Sequence, residues 1–189
     1  MKKTLFLIIS TLLIKVTFSE GNAEAFTFHS LKATQQNKRL TDSATAILLT
    51  DVAGNTHHLG EILNQHKGGI FFIDFWASWC APCIKEIPRL RELEKKYIDK
   101  IVFLSLSEDY RNPDWLTAIK KYGLTGNQYL MNYGSKNPLI NELKLKTIPR
   151  FVLMTASGEI LNANLPKPFE VERLDKIINK ALACNIASN

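Results

Sequence analysis

Cysteine is scarce in this chain, and none occurs before Cys80, so no cysteine stands behind the N-terminal segment to carry a lipid. No apolar run reaches the roughly 20 residues that a membrane-spanning helix requires. No stretch is dominated by Pro, Gly or Ser, which argues against a long disordered tract, and no internal repeat is present. Basic residues exceed acidic ones for a net charge of +6. The excess is scattered through Lys95-Lys96, Lys120-Lys121, Lys144, Lys146 and Lys180, with no interleaved aromatics. It reads as solvated surface, and nucleic acid is not an expected partner.

What remains is an ordinary globular composition, 46% hydrophobic over 189 residues, which suits one domain behind a targeting segment. Lys2 and Lys3 precede an apolar core from Thr4 to Ile14 that is too short to span a bilayer. Small residues then offer cleavage after Ala25 (Ala23-Glu24-Ala25) or after Ser19. The pattern predicts a signal peptide at 1–25, an N-terminal extension at 26–44 with a short strand at its start, and a domain at 45–189. A chain so marked is destined for the periplasm or cell envelope.

Thr45 to Thr50 and Thr56 to Leu59 alternate around Asp51-Val52-Ala53-Gly54-Asn55, a hairpin signal with Gly54 available for positive φ. A short helix is expected over Leu59–Gln65, stopped by Gly68-Gly69. Ile70 to Trp76 is a continuous apolar run with Asp74 inside, as in strands covered on both faces. Cys80 to Tyr97 then places Ile84, Ile87, Leu90, Leu93 and Tyr97 on one side of an amphipathic helix, with Pro88 expected to kink it.

Ile101 to Leu106 predicts a second buried strand. Asn112 reads as the N-cap of a helix that opens with Pro113 and Asp114 and closes at Gly123. Short elements follow at Gln128–Met131 and Leu139–Leu143, then a hairpin of Arg150–Met154 with Glu159–Leu161. A last helix over Glu170–Ala183 turns Val171, Leu174, Ile177, Ile178, Ala181 and Leu182 inward. The alternation is α/β with a mixed sheet.

Trp79-Cys80-Ala81-Pro82-Cys83 falls where the buried strand yields to the helix. A thiolate there faces unpaired backbone N–H groups and the positive end of the helix dipole, which lowers its pKa. With two residues between them, Cys80 can attack a disulfide while Cys83 waits to resolve the mixed disulfide. A zinc site would need about four ligands, but His29, His57, His58 and His66 are scattered and Cys184 lies far downstream. A plain structural disulfide is the other reading of the pair. Asp74 stands out as an ionisable group in an apolar strand that leads to the cysteines.

The segment Phe72-Ile73-Asp74-Phe75-Trp76-Ala77-Ser78-Trp79-Cys80-Ala81-Pro82-Cys83 resembles the active-site segment of the thioredoxin superfamily. The preceding hairpin, Lys85-Glu86-Ile87-Pro88 and the export signal are similar to the TlpA/ResA branch of envelope proteins. The likeness runs from about Thr45 to Ala183. It implies a thioredoxin fold, a central mixed β-sheet flanked by helices, with an N-terminal β-hairpin extension. It also implies an enzyme that exchanges thiols and disulfides without a cofactor.

By position, the resemblance makes Cys80 the exposed nucleophile, Cys83 the buried resolving cysteine and Asp74 the buried acid. Glu86 matches an acid of the branch, against a bland reading as solvated helix face. Pro149 matches a cis-proline facing the disulfide, with Ile148 and Trp79 beside it in the substrate groove. Arg150 departs from the Thr often found after that proline, and an acid usual near Thr155 is absent.

Ala81-Pro82 between the cysteines offers no group to stabilise the thiolate, which favours a reductase over an oxidant. The implied partners are protein disulfide substrates and a membrane thiol–disulfide electron donor. Isomerase, oxidant and a copper-handling module on the same fold remain as alternatives. A peroxiredoxin would want Thr where Ala77 stands.

Overall fold

The computed structural model describes residues 38–132 and 137–186. The signal peptide expected at 1–25, and the strand expected at the start of 26–44, lie outside these residues. Seven strands form one mixed sheet among the described residues: β1 (Leu48–Asp51), β2 (Thr56–His58), β3 (Ile70–Trp76), β4 (Val102–Ser107), β5 (Asn127–Met131), β6 (Arg150–Thr155) and β7 (Ile160–Asn162). Their order is β2-β1-β5-β4-β3-β6-β7. β3, β4 and β5 run parallel, and every other pairing is antiparallel. The fold is the expected α/β thioredoxin-like one.

β3 decides where the core lies, because all seven of its residues are buried. Its side chains alternate between the faces of the sheet. Phe71, Ile73 and Phe75 join Leu49, Leu104, Leu106, Val152 and Met154 on one side. Helices α1 (Asp42–Thr45), α2 (Leu59–Asn64) and α5 (Pro138–Glu142) supply Ala44, Leu59, Ile62, Leu63 and Leu139 to that cluster. Ile70 and Phe72 go to the other face with Phe151 and Leu153, under Leu93 and Tyr97 of α3 (Ala81–Tyr97) and Leu174 and Ile178 of α6 (Val171–Ile186). By the same alternation Asp74 takes the next position on the α3 and α6 side.

The turns follow their glycines. Gly54 takes φ +90° between β1 and β2, and Gly123 takes φ +56° at the end of α4 (Asn112–Tyr122). Both values lie where a Cβ is disfavoured.

Several expectations shift. Thr45 ends helix α1 and does not begin a strand. The Thr41 hydroxyl caps that helix by accepting from the Ala44 N–H, so the sheet starts at Leu48. Residues 38–44, expected as part of an extension, pack on the domain: Leu40 and Ala44 are in its core. The N-cap of α4 is Arg111, and Asn112 is already helical. Val171, expected to face inward, is 41% exposed because it starts α6 at the rim, beyond the sheet that covers Leu174 and Ile178.

Candidate active site

β3 and β4 carry the site, and α3 receives it. Past the end of the sheet the Glu108 N–H donates to the Trp76 carbonyl (2.8 Å), and the Cys80 N–H donates to the Ala77 carbonyl (3.0 Å). That tight turn delivers Cys80 to the N-cap of α3 in an extended conformation, where its Sγ accepts from the Cys83 N–H at 3.2 Å. Cys80 and Cys83 form a disulfide with their Cα atoms 5.2 Å apart. Their position combines unpaired amides with the dipole's positive end, both of which favour a thiolate once the bond is reduced.

Both cysteines belong to a cluster with Trp76, Ala77, Ala118, Leu130 and the wholly buried Trp115, and Ile148 packs against it. This corrects the expectation that Cys80 would be the exposed member. Each cysteine is 4% exposed in the disulfide form, because the apolar end of the sheet closes over both. The residues around them are exposed: Ala81 and Pro82 between the cysteines, and Trp79 before them at 58%. The Ile148–Pro149 bond is cis, directly ahead of β6. Pro149 borders a polar cleft of about 250 Å³ shared with Arg150, Lys167, Glu170 and Arg173. Arg150 donates to the Ala163 carbonyl at 3.2 Å, which ties the start of β6 to the loop ahead of α6.

Asp74 lies in mid-sheet, its backbone between Ser105 of β4 and Phe151 of β6. Burial, followed by repulsion from Glu94 and Glu86, raises its carboxyl pKa from 3.8 to about 8. Asp74 and Cys83 line one cavity of about 30 Å³ with Glu94 and Ser105. That space suits one or two water molecules, enough to bridge two polar groups. Glu86 is buried too, so the reading as solvated helix face fails. Burial pushes its carboxyl up, while a hydrogen bond from the Phe169 N–H and the charge of Lys167 act against that rise. Glu86 faces the segment before α6 and does not line the Asp74 cavity.

Two groups escaped the sequence reading. Glu94 has its carboxyl pKa raised by burial and shares the face of α3 with Cys83, Ile87 and Leu90. The signal was the helical spacing from Cys83, masked because Glu94 stands among surface charges. Asp109 is 5% exposed and accepts from the Ser78 N–H (2.9 Å), the Ser78 hydroxyl (2.6 Å) and the Ser107 hydroxyl (2.6 Å). Nothing local in the sequence announces a contact between residues 31 positions apart.

A disulfide at the head of the helix that follows a central buried strand, with a buried acid lining the same cavity as Cys83, is the arrangement of a thiol–disulfide oxidoreductase of thioredoxin fold. The comparisons agree. The thioredoxin-like family matches residues 68–160. The thiol-disulfide oxidoreductase ResA of Bacillus anthracis is 30% identical over 143 residues, 75% of this chain and 79% of that protein. The ResA of Geobacillus kaustophilus is 25% identical over 85% of this chain and 87% of its own length. A solution structure from Bacteroides vulgatus, described as a thiol-disulfide oxidoreductase, is 34% identical with a TM-score of 0.63, covering 76% of this chain and 91% of that one. The chain belongs to the thioredoxin-like thiol–disulfide oxidoreductases, with ResA proteins among its relatives.

Proposed function

We propose that this protein is an exported reductase of envelope-protein disulfides that works by dithiol–disulfide exchange through Cys80 and Cys83. The observation that carries the reading is the pair's placement at the N-terminus of α3, with Cys83 and Asp74 on one small cavity. In the reduced enzyme the Cys80 thiolate attacks one sulfur of a substrate disulfide. A Cys80–substrate bond forms, the substrate S–S bond breaks, and one substrate thiolate leaves. Cys83 then gives its proton to Asp74 in its ionised, carboxylate form, and attacks Cys80 Sγ. The Cys80–Cys83 bond forms, the second substrate thiolate leaves, and two electrons have passed to the substrate. A dithiol donor, membrane-bound by resemblance, reverses these steps, and Asp74 returns its proton to Cys83 as Cys83 leaves.

The structure holds the oxidised form, in which Asp74 at about pKa 8 is protonated at neutral pH and ready for that return. Ile148, Pro149 and Trp79 form the substrate's docking rim, and Glu86 acts on the relay only through its charge, which helps to raise the Asp74 pKa. Reduction is favoured over oxidation because Ala81-Pro82 lacks a charge that would stabilise the Cys80 thiolate. Export rests on the N-terminal signal pattern. Among the described residues no helix is long and apolar enough to cross a membrane.

Trapping tests the thiol roles. Cys83→Ser should accumulate mixed disulfides through Cys80, and Cys80→Ser should accumulate none; the reverse pattern exchanges the roles. A reduction potential in glutathione buffers tests direction. A value near the thioredoxin end, about −270 mV, supports the reductase, and one near about −120 mV makes the protein an oxidant.

A further inference from the structure

Asp109 lies just beyond β4, outside the thiol chemistry, yet its buried carboxylate binds the turn that carries the cysteines. Oδ2 accepts from the Ser78 N–H at 2.9 Å and from the Ser107 hydroxyl at 2.6 Å, and Oδ1 accepts from the Ser78 hydroxyl at 2.6 Å. The Asp109 N–H donates in turn to Ser107 Oγ at 3.0 Å. Ser107 is wholly buried, so this anchor cannot swing away into solvent. Ser78 sits inside the turn closed by the Cys80 N–H on the Ala77 carbonyl, and Cys80 Sγ is where the Cys83 N–H points. One continuous set of bonds therefore runs from the end of β4 through Ser78 to the reacting sulfur.

We propose that Asp109 is a positioning residue for disulfide exchange. Its carboxylate fixes the Ala77–Cys80 turn, so that Cys80 Sγ stays aligned with the α3 amides and with the line of attack. Sheet pairing alone does not do this. The last β3–β4 partners are Trp76 and Ser107, and only the Glu108 N–H to Trp76 carbonyl bond extends the pairing. Without Asp109 the segment from Ala77 to Trp79 would be held at its ends and loose between them. Thiol exchange needs a near-linear approach of three sulfurs, and small misplacements of a reacting group cost rate steeply.

The inference rests on Cys80 as the attacking thiol, and two substitutions separate geometry from charge. In Asp109→Asn the amide oxygen can replace Oδ2, and the amide NH₂ can donate to the Ser78 hydroxyl oxygen, so the bonds survive and the charge goes. Asp109→Ala removes both. The measurements are the rate of insulin disulfide reduction with dithiothreitol as electron source, the Cys80–Cys83 equilibrium with glutathione, and the melting temperature. Asp109→Ala should slow reduction roughly tenfold or more and shift the glutathione equilibrium, while Asp109→Asn restores both to near wild type.

Equal losses in the Asn and Ala variants would assign the effect to charge and overturn the proposal. So would an Ala variant that melts lower yet keeps wild-type rate and equilibrium. If Asp109→Ala does not fold, Ser78→Ala removes one of the three bonds and keeps the charge. It should slow reduction roughly threefold, and a wild-type rate there counts against the proposal. Cys80→Ser, run alongside, must abolish exchange outright; if it does not, the thiol assignment falls, and this inference with it.

Discussion

Asp74 occupies a position that the alternation of β3 reserves for an apolar side chain, and its chemistry follows from that misplacement. An unfolded carboxyl titrates near 3.8, whereas the folded one titrates near 8. Between those values the unfolded chain has released its proton and the folded chain has kept it. Stability therefore falls as pH rises, by about 1.4 kcal/mol per pH unit from this group, and levels off above about 8. Asp74→Asn should remove that slope. Thermal melts should show the variant gaining over wild type far more at pH 8 than at pH 4.5, and an equal gain at both would mean that Asp74 titrates normally. The same substitution should slow the resolving step on the order of 10²-fold, since Asn cannot take the Cys83 proton. Rate against pH for Asp74→Asn, Glu86→Gln and wild type checks this, and superimposable profiles would end the relay. Asp74 and the cysteines were legible because each breaks or marks a pattern within a few residues. Glu94 and Asp109 were not, since an acid on a charged helix and an acid in a loop look like surface until the sheet closes over them.

At the scale of elements, the strands and helices with strong local signals came out where the sequence placed them. β3 reads as one apolar run, and Gly54 and Gly123 mark their turns. The short segment before β1 did not read, because its cohesion is supplied by residues far along the chain. Leu40 N–H donates to the Gly158 carbonyl (2.8 Å) and the Ile160 N–H to the Lys38 carbonyl (2.8 Å), while Thr41 N–H and hydroxyl both donate to Glu142. These contacts lay residues 38–41 against the β6–β7 turn and α5 and sink the Leu40 side chain into the core. Leu40→Ala should cost about 2–4 kcal/mol in urea unfolding while leaving the glutathione equilibrium of the cysteines unchanged. A loss below about 0.5 kcal/mol would show that the segment is dispensable to the domain.

For the whole molecule, the expected export has a direct reading. Intact-mass analysis of fractionated protein should find the mature chain beginning near Phe26 or Glu20 in the envelope, and a full-length cytosolic product would remove that part of the proposal. The sheet order adds a constraint on how such a chain can assemble. β1 pairs with β5, and the bond between Thr50 and Asn132 joins residues 82 positions apart. Chains emerge N-terminus first, from a ribosome or through a membrane pore. The β1–β2 hairpin is therefore delivered early with a bare edge, and must wait for most of the domain before its partner strand arrives. β3 waits likewise for β6 on one side. An interval with unpaired apolar strands is when sheets join the wrong neighbour. Cys80 and Cys83, only three positions apart, are by contrast side by side throughout that interval, so bringing the two sulfurs together depends on no distant segment.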